Sequence, residues 1–173
     1  NMTAAGEVCK AIKLGAPDQP LLLGGLHPSA LPERTMREET VDFVCQGEGP
    51  YTILGLLQQP EWNGPVDYSQ VNGLWYRKKG VICSTPQAPV IEDLDKDLRA
   101  VAWDLLPMDK YRAHNWHCFG RIADRRPYAS MYTSLGCPFK CSFCCINTPF
   151  GKPMIRYRSP ESVIREIDEL VTK

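Results

Sequence analysis

The stretch TSLGCPFKCSFCCINTPFG, Thr133 to Gly151, sets four cysteines within nine positions, and three of them, Cys137, Cys141 and Cys144, follow a C-x3-C-x2-C spacing. A zinc ion closed by protein needs four ligands, usually delivered as two separate knuckles. Here there is one group of three and no second C-x2-C. Cys145 adjoins Cys144. Adjacent side chains diverge, so it is a poor fourth ligand to the same ion and reads as a small structural residue. An iron-sulfur cube is held by cysteine thiolates on its irons; three thiolates from the protein leave one iron open to an outside ligand. Two other readings stand beside this one. A zinc loop could be completed from HNWHC by His114, His117 or Cys118. The three cysteines could also be unligated core thiols, against which Gly136 and Pro138 flank them and no core period is followed.

Working outward, the chain has 173 residues, enough for one ordinary domain or two small ones with a core that needs no disulfide staples. Lys plus Arg and Asp plus Glu both number 20, so the formal net charge is zero, and no basic footprint suggests a nucleic-acid partner. No apolar run reaches the roughly 18 residues of a membrane span, and the N-terminus lacks the order of a secretory signal. A cytoplasmic protein is therefore expected. Eight cysteines in such a chain point to metal or redox chemistry rather than a disulfide framework. Cys9, Cys45, Cys83 and Cys118 are scattered singly and read as small buried hydrophobes.

The first third alternates helix and strand signals. Met2 to Leu14 carries Met2, Ala5, Val8, Cys9 and Ile12 at helical spacing. LLLGG after Pro20 reads as a strand buried on both faces of a parallel sheet, SALPERTMREET as a short helix, VDFVCQGEG as a second strand, and PYTILGLLQQ as a helix with Pro50 in its first turn. The order α-β-α-β-α predicts a doubly wound, Rossmann-like α/β layer over residues 1–59, with ligands at the carboxyl ends of the strands. Residues 60–127 read as a linker in which NGLWYRKKGVICSTP forms a β-hairpin. In 128–173, PYASMYTSLGC is β-prone and runs into the cysteine loop. SPESVIREIDELVTK then starts a helix with Ser159 as N-cap and Pro160 at its first position. Val163, Ile164, Ile167, Leu170 and Val171 share one face of it. The running α/β pattern at the start and the single β-α unit at the end lead us to expect a fragment of a longer protein.

The strand ends LLLGGLHPSALPE and DFVCQGEGPYT form a second constellation. Glycine there permits positive φ and close backbone approach to a ligand, and a following helix N-terminus offers free N–H groups to polar or anionic atoms. Each loop taken alone suits a plain tight turn equally well.

The run CPFKCSFC, with Phe143 just before the third cysteine, resembles the signature of the radical S-adenosylmethionine (radical SAM) superfamily. The resemblance implies a [4Fe-4S] cluster on Cys137, Cys141 and Cys144, whose fourth iron chelates the amino and carboxylate groups of S-adenosylmethionine, with Phe143 against the adenine. One electron from the reduced cluster, supplied by a donor such as flavodoxin or ferredoxin, would cleave the sulfonium to a 5'-deoxyadenosyl radical. The strand ending GGLHP, the later VDFVCQGEG, the hairpin and the texts NGLWYR and WDLLPMDKYR extend the similarity over nearly the whole chain. Together they look like the latter half of a cobalamin-binding domain followed by the first β-α unit of a radical SAM partial barrel. This implies that Gly24, Gly25, His27, Gly47, Glu48 and Gly49 line the side of the sheet that buries the nucleotide tail of cobalamin. As bland alternatives, Glu48 is a solvated or helix-capping carboxylate and His27 a turn residue before Pro28. The family's D-x-H-x-x-G cobalt-ligand motif, where present, lies earlier than residue 1, so its absence decides nothing about cobalt ligation; the glycine-rich strand that holds the methionine amino group in the family is missing too, as are the later barrel strands. Turnover is therefore not expected of the chain alone. In the parent, the implied reaction is methyl transfer to a carbon centre of a small-molecule substrate, ring closure or contraction being known in the same family. A zinc-stabilised α/β interaction module is the competing class.

Overall fold

The computed structural model describes residues 2–59, 66–98, 101–114 and 128–172. They form two compact units, residues 1–91 with 136–155, and residues 92–135 with 156–173. His117 and Cys118 of the zinc alternative lie outside the described residues.

The first unit opens with helix α1 (Met2–Gly15), strand β1 (Leu22–Leu23), helices α2 (Leu26–Ala30) and α3 (Pro32–Glu38), strand β2 (Phe43–Cys45) and helix α4 (Pro50–Leu57). The hairpin strands β3 (Leu74–Lys78) and β4 (Val81–Ser84) complete a four-stranded sheet in the order β1-β2-β3-β4. The alternation read from sequence is present, with one addition: SALPERTMREET makes two helices because Pro32 has no N–H to continue the first and begins the second at its first turn.

The sheet itself differs from the parallel one expected. β1 and β2 are parallel, with Leu22 opposite Phe43, but β3 runs antiparallel to β2, with Val44 opposite Trp75, and β4 antiparallel to β3. The sheet is therefore mixed. The hairpin extends it rather than standing apart, because the two sides of β3 match those of β2. Phe43, Leu74 and Tyr76 share one apolar cluster with Leu56, Tyr68 and Val71, while Val44 on the other face joins Cys9, Met36 and Val41, with Trp75 and Ile82 packed on them. Tyr68 places its ring edge-on to Phe43 (5.1 Å between centroids) and to Tyr76 (5.4 Å). Helices thus cover both faces, and burial of these side chains is the main favourable term holding the layer together.

Polar ties fix the register of the parallel pair. Asp42 accepts a hydrogen bond from the Leu21 backbone N–H (2.7 Å) and an ion pair from Lys13 at the end of α1 (2.8 Å). Arg77 of β3 donates to the carbonyls of Val41 (2.7 Å) and Met36.

In the second unit, α5 (Leu94–Asp97) is capped by Asp93, whose carboxylate accepts from the N–H groups of Asp95 and Lys96. Helix α6 (Pro160–Thr172) has the expected N-cap, Ser159 Oγ accepting from Ser162 N–H at 3.2 Å. The apolar face is only partly buried, Val163 and Leu170 being half-buried. Ile164, Ile167 and Val171 are exposed, whereas Ser162 and Glu166 are buried. Glu166 is drawn inward because it is fully partnered there: Trp103 Nε1 donates to Oε1 at 2.9 Å and Arg158 pairs with Oε2.

Candidate functional site

Strand β5 (Ser134–Cys137) pairs with β6 (Met154–Tyr157) in a separate two-stranded sheet, and the cysteine loop connects them. Gly136 is the residue this geometry requires. Its φ is +94°, and a Cβ there would stand 2.3 Å from the Met154 carbonyl oxygen, so no larger residue fits between the strands. Cys137 ends β5 and is half-buried; Cys141, Cys144 and Cys145 are exposed. The Cys144 N–H donates to the Cys141 carbonyl (3.1 Å), and the Thr148 N–H to the Cys145 carbonyl (3.0 Å). Asn147 closes the loop by donating from Nδ2 to the Phe139 carbonyl at 2.9 Å. The loop ends in a 3-10 turn, Thr148–Phe150, stopped by the left-handed Gly151. Phe143 is 92 % exposed on this loop.

Cys137, Cys141 and Cys144 are free thiols on one short segment, a donor set of the kind that iron-sulfur clusters use. Among the described residues, however, no three His, Cys, Asp or Glu side chains gather into a metal-holding group. The thiols share the loop without converging. The donor chemistry fits a cluster.

The glycine-ended loops are brought together. Gly25 (φ +113°) begins α2, and Gly47 (φ +116°) follows β2. They are joined through Ser29, buried on α2, whose Oγ accepts from Gly47 N–H (3.1 Å) and lies 3.3 Å from the Gly47 carbonyl oxygen. Gly24 and Gly25 are exposed and His27 is half-buried. Gly49 (φ +109°) precedes α4. Glu48 accepts from Ile91 N–H at 2.8 Å, so one carboxylate oxygen is engaged in holding backbone. Beneath them, burial pushes the Cys45 thiol pKa up, with a hydrogen bond to Thr52 offsetting part of that rise.

Within the same unit, α2 packs against the 3-10 turn Thr148–Phe150 that closes the cysteine loop. Gln87 donates from Nε2 to the Pro149 carbonyl at 3.2 Å, and the space a Gly47 side chain would take is bounded by that same amide and by Pro149. Ser29, although inside LLLGGLHPSALPE, and Gln87 are not singled out by the sequence. Their roles arise from pairings 18 and 62 residues apart.

No family model matches the chain. It is similar to an uncharacterised methyltransferase of Pyrococcus horikoshii, 36 % identical over 87 % of the chain and 29 % of the relative. It is also similar to an anaerobic magnesium-protoporphyrin IX monomethyl ester cyclase of Rubrivivax gelatinosus, 32 % identical over 90 % of the chain and 26 % of the relative. A third relative is the cytidylyl-2-hydroxyethylphosphonate methyltransferase of Streptomyces wedmorensis, 27 % identical over 91 % of the chain and 33 % of that enzyme. The chain therefore spans about a quarter to a third of the length of the curated relatives it matches. No helix among the described residues is long and apolar enough to cross a membrane.

Proposed function

We propose that this chain is the part of a cobalamin-binding radical SAM enzyme that carries the cluster loop and one wall of the cobalamin site. The observation that carries the proposal is the C-x3-C-x2-C set of free thiols on a loop leaving a β-strand, in a chain whose relatives are named methyltransferases and ester cyclases. When bound, the cofactors supply reductive cleavage of S-adenosylmethionine at a [4Fe-4S] cluster to a 5'-deoxyadenosyl radical, and methyl transfer to a carbon centre of a small-molecule substrate.

The chain's own residues have narrower tasks. Cys137, Cys141 and Cys144 would hold the cluster and leave one iron without a protein ligand. Phe143, apolar and exposed beside Cys144, would stack on the adenine of S-adenosylmethionine and shield it from water. The backbone at the exposed Gly24 and Gly25 and at Gly49 would allow close approach of the cobalamin tail, with His27 and Glu48 at its margin and the buried Gly47 holding the loop behind them. A flavodoxin or ferredoxin would deliver the electron.

The test is to incubate the reduced full-length protein with S-adenosylmethionine under anaerobic conditions and assay for 5'-deoxyadenosine. Its formation, abolished by Cys144→Ala, is the expected result. Equal formation by the variant would overturn the ligand assignment, and none from the wild type would overturn the reaction.

A further inference from the structure

Three contacts inside the first unit converge on one point. Gly47, at the end of β2, is held by Ser29 on α2. The Gln87 side chain lies over it: a Cβ on Gly47 would be 3.2 Å from Gln87 Nε2 and 3.4 Å from its Cγ. From there the same amide nitrogen donates to the Pro149 carbonyl at 3.2 Å, and its Oε1 lies 3.9 Å from where a Gly151 side chain would begin. Gln87 is an exposed residue between a strand end and the turn that terminates the cysteine loop. Its amide thus packs against the Gly47 backbone while hydrogen-bonding the Pro149 carbonyl, and a side chain at Gly47 would push against it.

We infer that Gln87 is a positioning residue that couples the two cofactor sites. Resting on the function proposed above, the inference is that ordering of the Gly47 loop by cobalamin is transmitted through Gln87 and α2 to the Pro149 turn, and so to the loop that holds the cluster. Coupling of this kind is reciprocal in binding free energy: whatever cobalamin does for the affinity of the cluster, the cluster does for the affinity of cobalamin.

The experiment uses the full-length protein, reconstituted anaerobically with iron and sulfide. The rate at which a chelator strips the iron is measured with and without hydroxocobalamin, for the wild type, Gln87→Met and Gln87→Glu. Methionine keeps the bulk without the amide, and glutamate keeps the shape while losing the donor to Pro149. In the wild type, hydroxocobalamin is expected to slow iron release about 5-fold or more, the lower end of ordinary coupling between sites. In both variants that protection falls below about 2-fold while the thermal midpoint of the protein stays put. Equal protection in wild type and Gln87→Met overturns the inference, as does wild-type behaviour of Gln87→Glu, because the hydrogen bond would then carry nothing. A loss of protection matched by a lowered thermal midpoint also overturns it, since Gln87 would be merely structural. A wild type that takes up no cluster, or binds no cobalamin, refutes the underlying function and the coupling with it; cofactors that bind normally without coupling refute the coupling alone.

Discussion

Ser29 and Gly47, 18 residues apart, are joined at both polar groups of the glycine: the Gly47 N–H donates to Ser29 Oγ at 3.1 Å, and the hydroxyl donates to the Gly47 carbonyl at 3.3 Å. Ser29 is 5 % exposed, so this pair does the work of water for a buried turn. Ser29→Ala should destabilise the protein by about 1–3 kcal/mol, the cost of leaving a buried backbone donor unpaired, measured by urea unfolding. Gly47→Ala, at φ +116° and against Gln87, should cost about 1–3 kcal/mol through backbone strain. Unfolding midpoints equal to the wild type in both would show that the turn is held by something else.

The helices were legible because their punctuation is local. Ser159 and Pro160 announce α6, and Pro50 opens α4. The hairpin was legible from the turn text RKKG between two strand runs, although Arg77 and Lys78 belong to β3 and only Lys79 and Gly80 make the turn. What local signals could not supply was pairing. Nothing in VDFVCQGEG says that its neighbour on one side is parallel and on the other antiparallel, since strands buried on two faces read alike in either sense. The apolar stripe of α6 could not show that a carboxylate is buried beside it, for a related reason. Amphipathicity tells which face would be buried by an apolar partner, whereas the neighbours provided here, Trp103 and Arg158, suit Glu166. In the site, the cysteine spacing was visible in the chain, and the tie from Gln87 to Pro149 was not.

Glu166, 2 % exposed and paired with Arg158 while accepting from Trp103, anchors the second unit. Removing one partner of a buried pair leaves the other charge uncompensated, so Glu166→Ala should cost about 3–5 kcal/mol. Glu166→Gln, which keeps an acceptor for the indole, should cost less than the alanine variant and preserve the environment of Trp103. Fluorescence-monitored unfolding ranks the two against the wild type; a glutamine variant as stable as the wild type would mean the ion pair contributes nothing, and an alanine variant no worse than glutamine would mean the same of the indole hydrogen bond.

Hydrogen bonds from Ser159 hold the Asp95 carboxyl below its usual range. Because the folded pKa is lowered, the stabilisation is present above the ordinary aspartate value of about 3.9 and is lost as pH falls through the lower folded value. The protection of the Ser159 and Ser162 amides, as exchange measured against the intrinsic rate at each pH, should therefore fall below about pH 4. In Asp95→Asn that acid-induced change should vanish, and its persistence would assign the effect to another group.

Cysteine reactivity should divide the chain in two. Before cluster loading, Cys141, Cys144 and Cys145 are exposed, while Cys9 and Cys45 are buried with thiol pKa values pushed up by that burial. Iodoacetamide at about pH 7.5 should modify the first three and spare the last two, since the thiolate is the nucleophile. After loading, mass spectrometry should find Cys137, Cys141 and Cys144 protected and Cys145 still reactive. Protection of Cys145 along with the others would make it a ligand.

The most direct measurement is anaerobic reconstitution of the full-length protein with iron and sulfide, comparing the wild type with Cys141→Ala and Cys145→Ala by absorption before and after dithionite. The account predicts a brown protein that bleaches on reduction, lost in Cys141→Ala and retained in Cys145→Ala. Stoichiometric zinc without colour, or identical iron retention by the two variants, would contradict it.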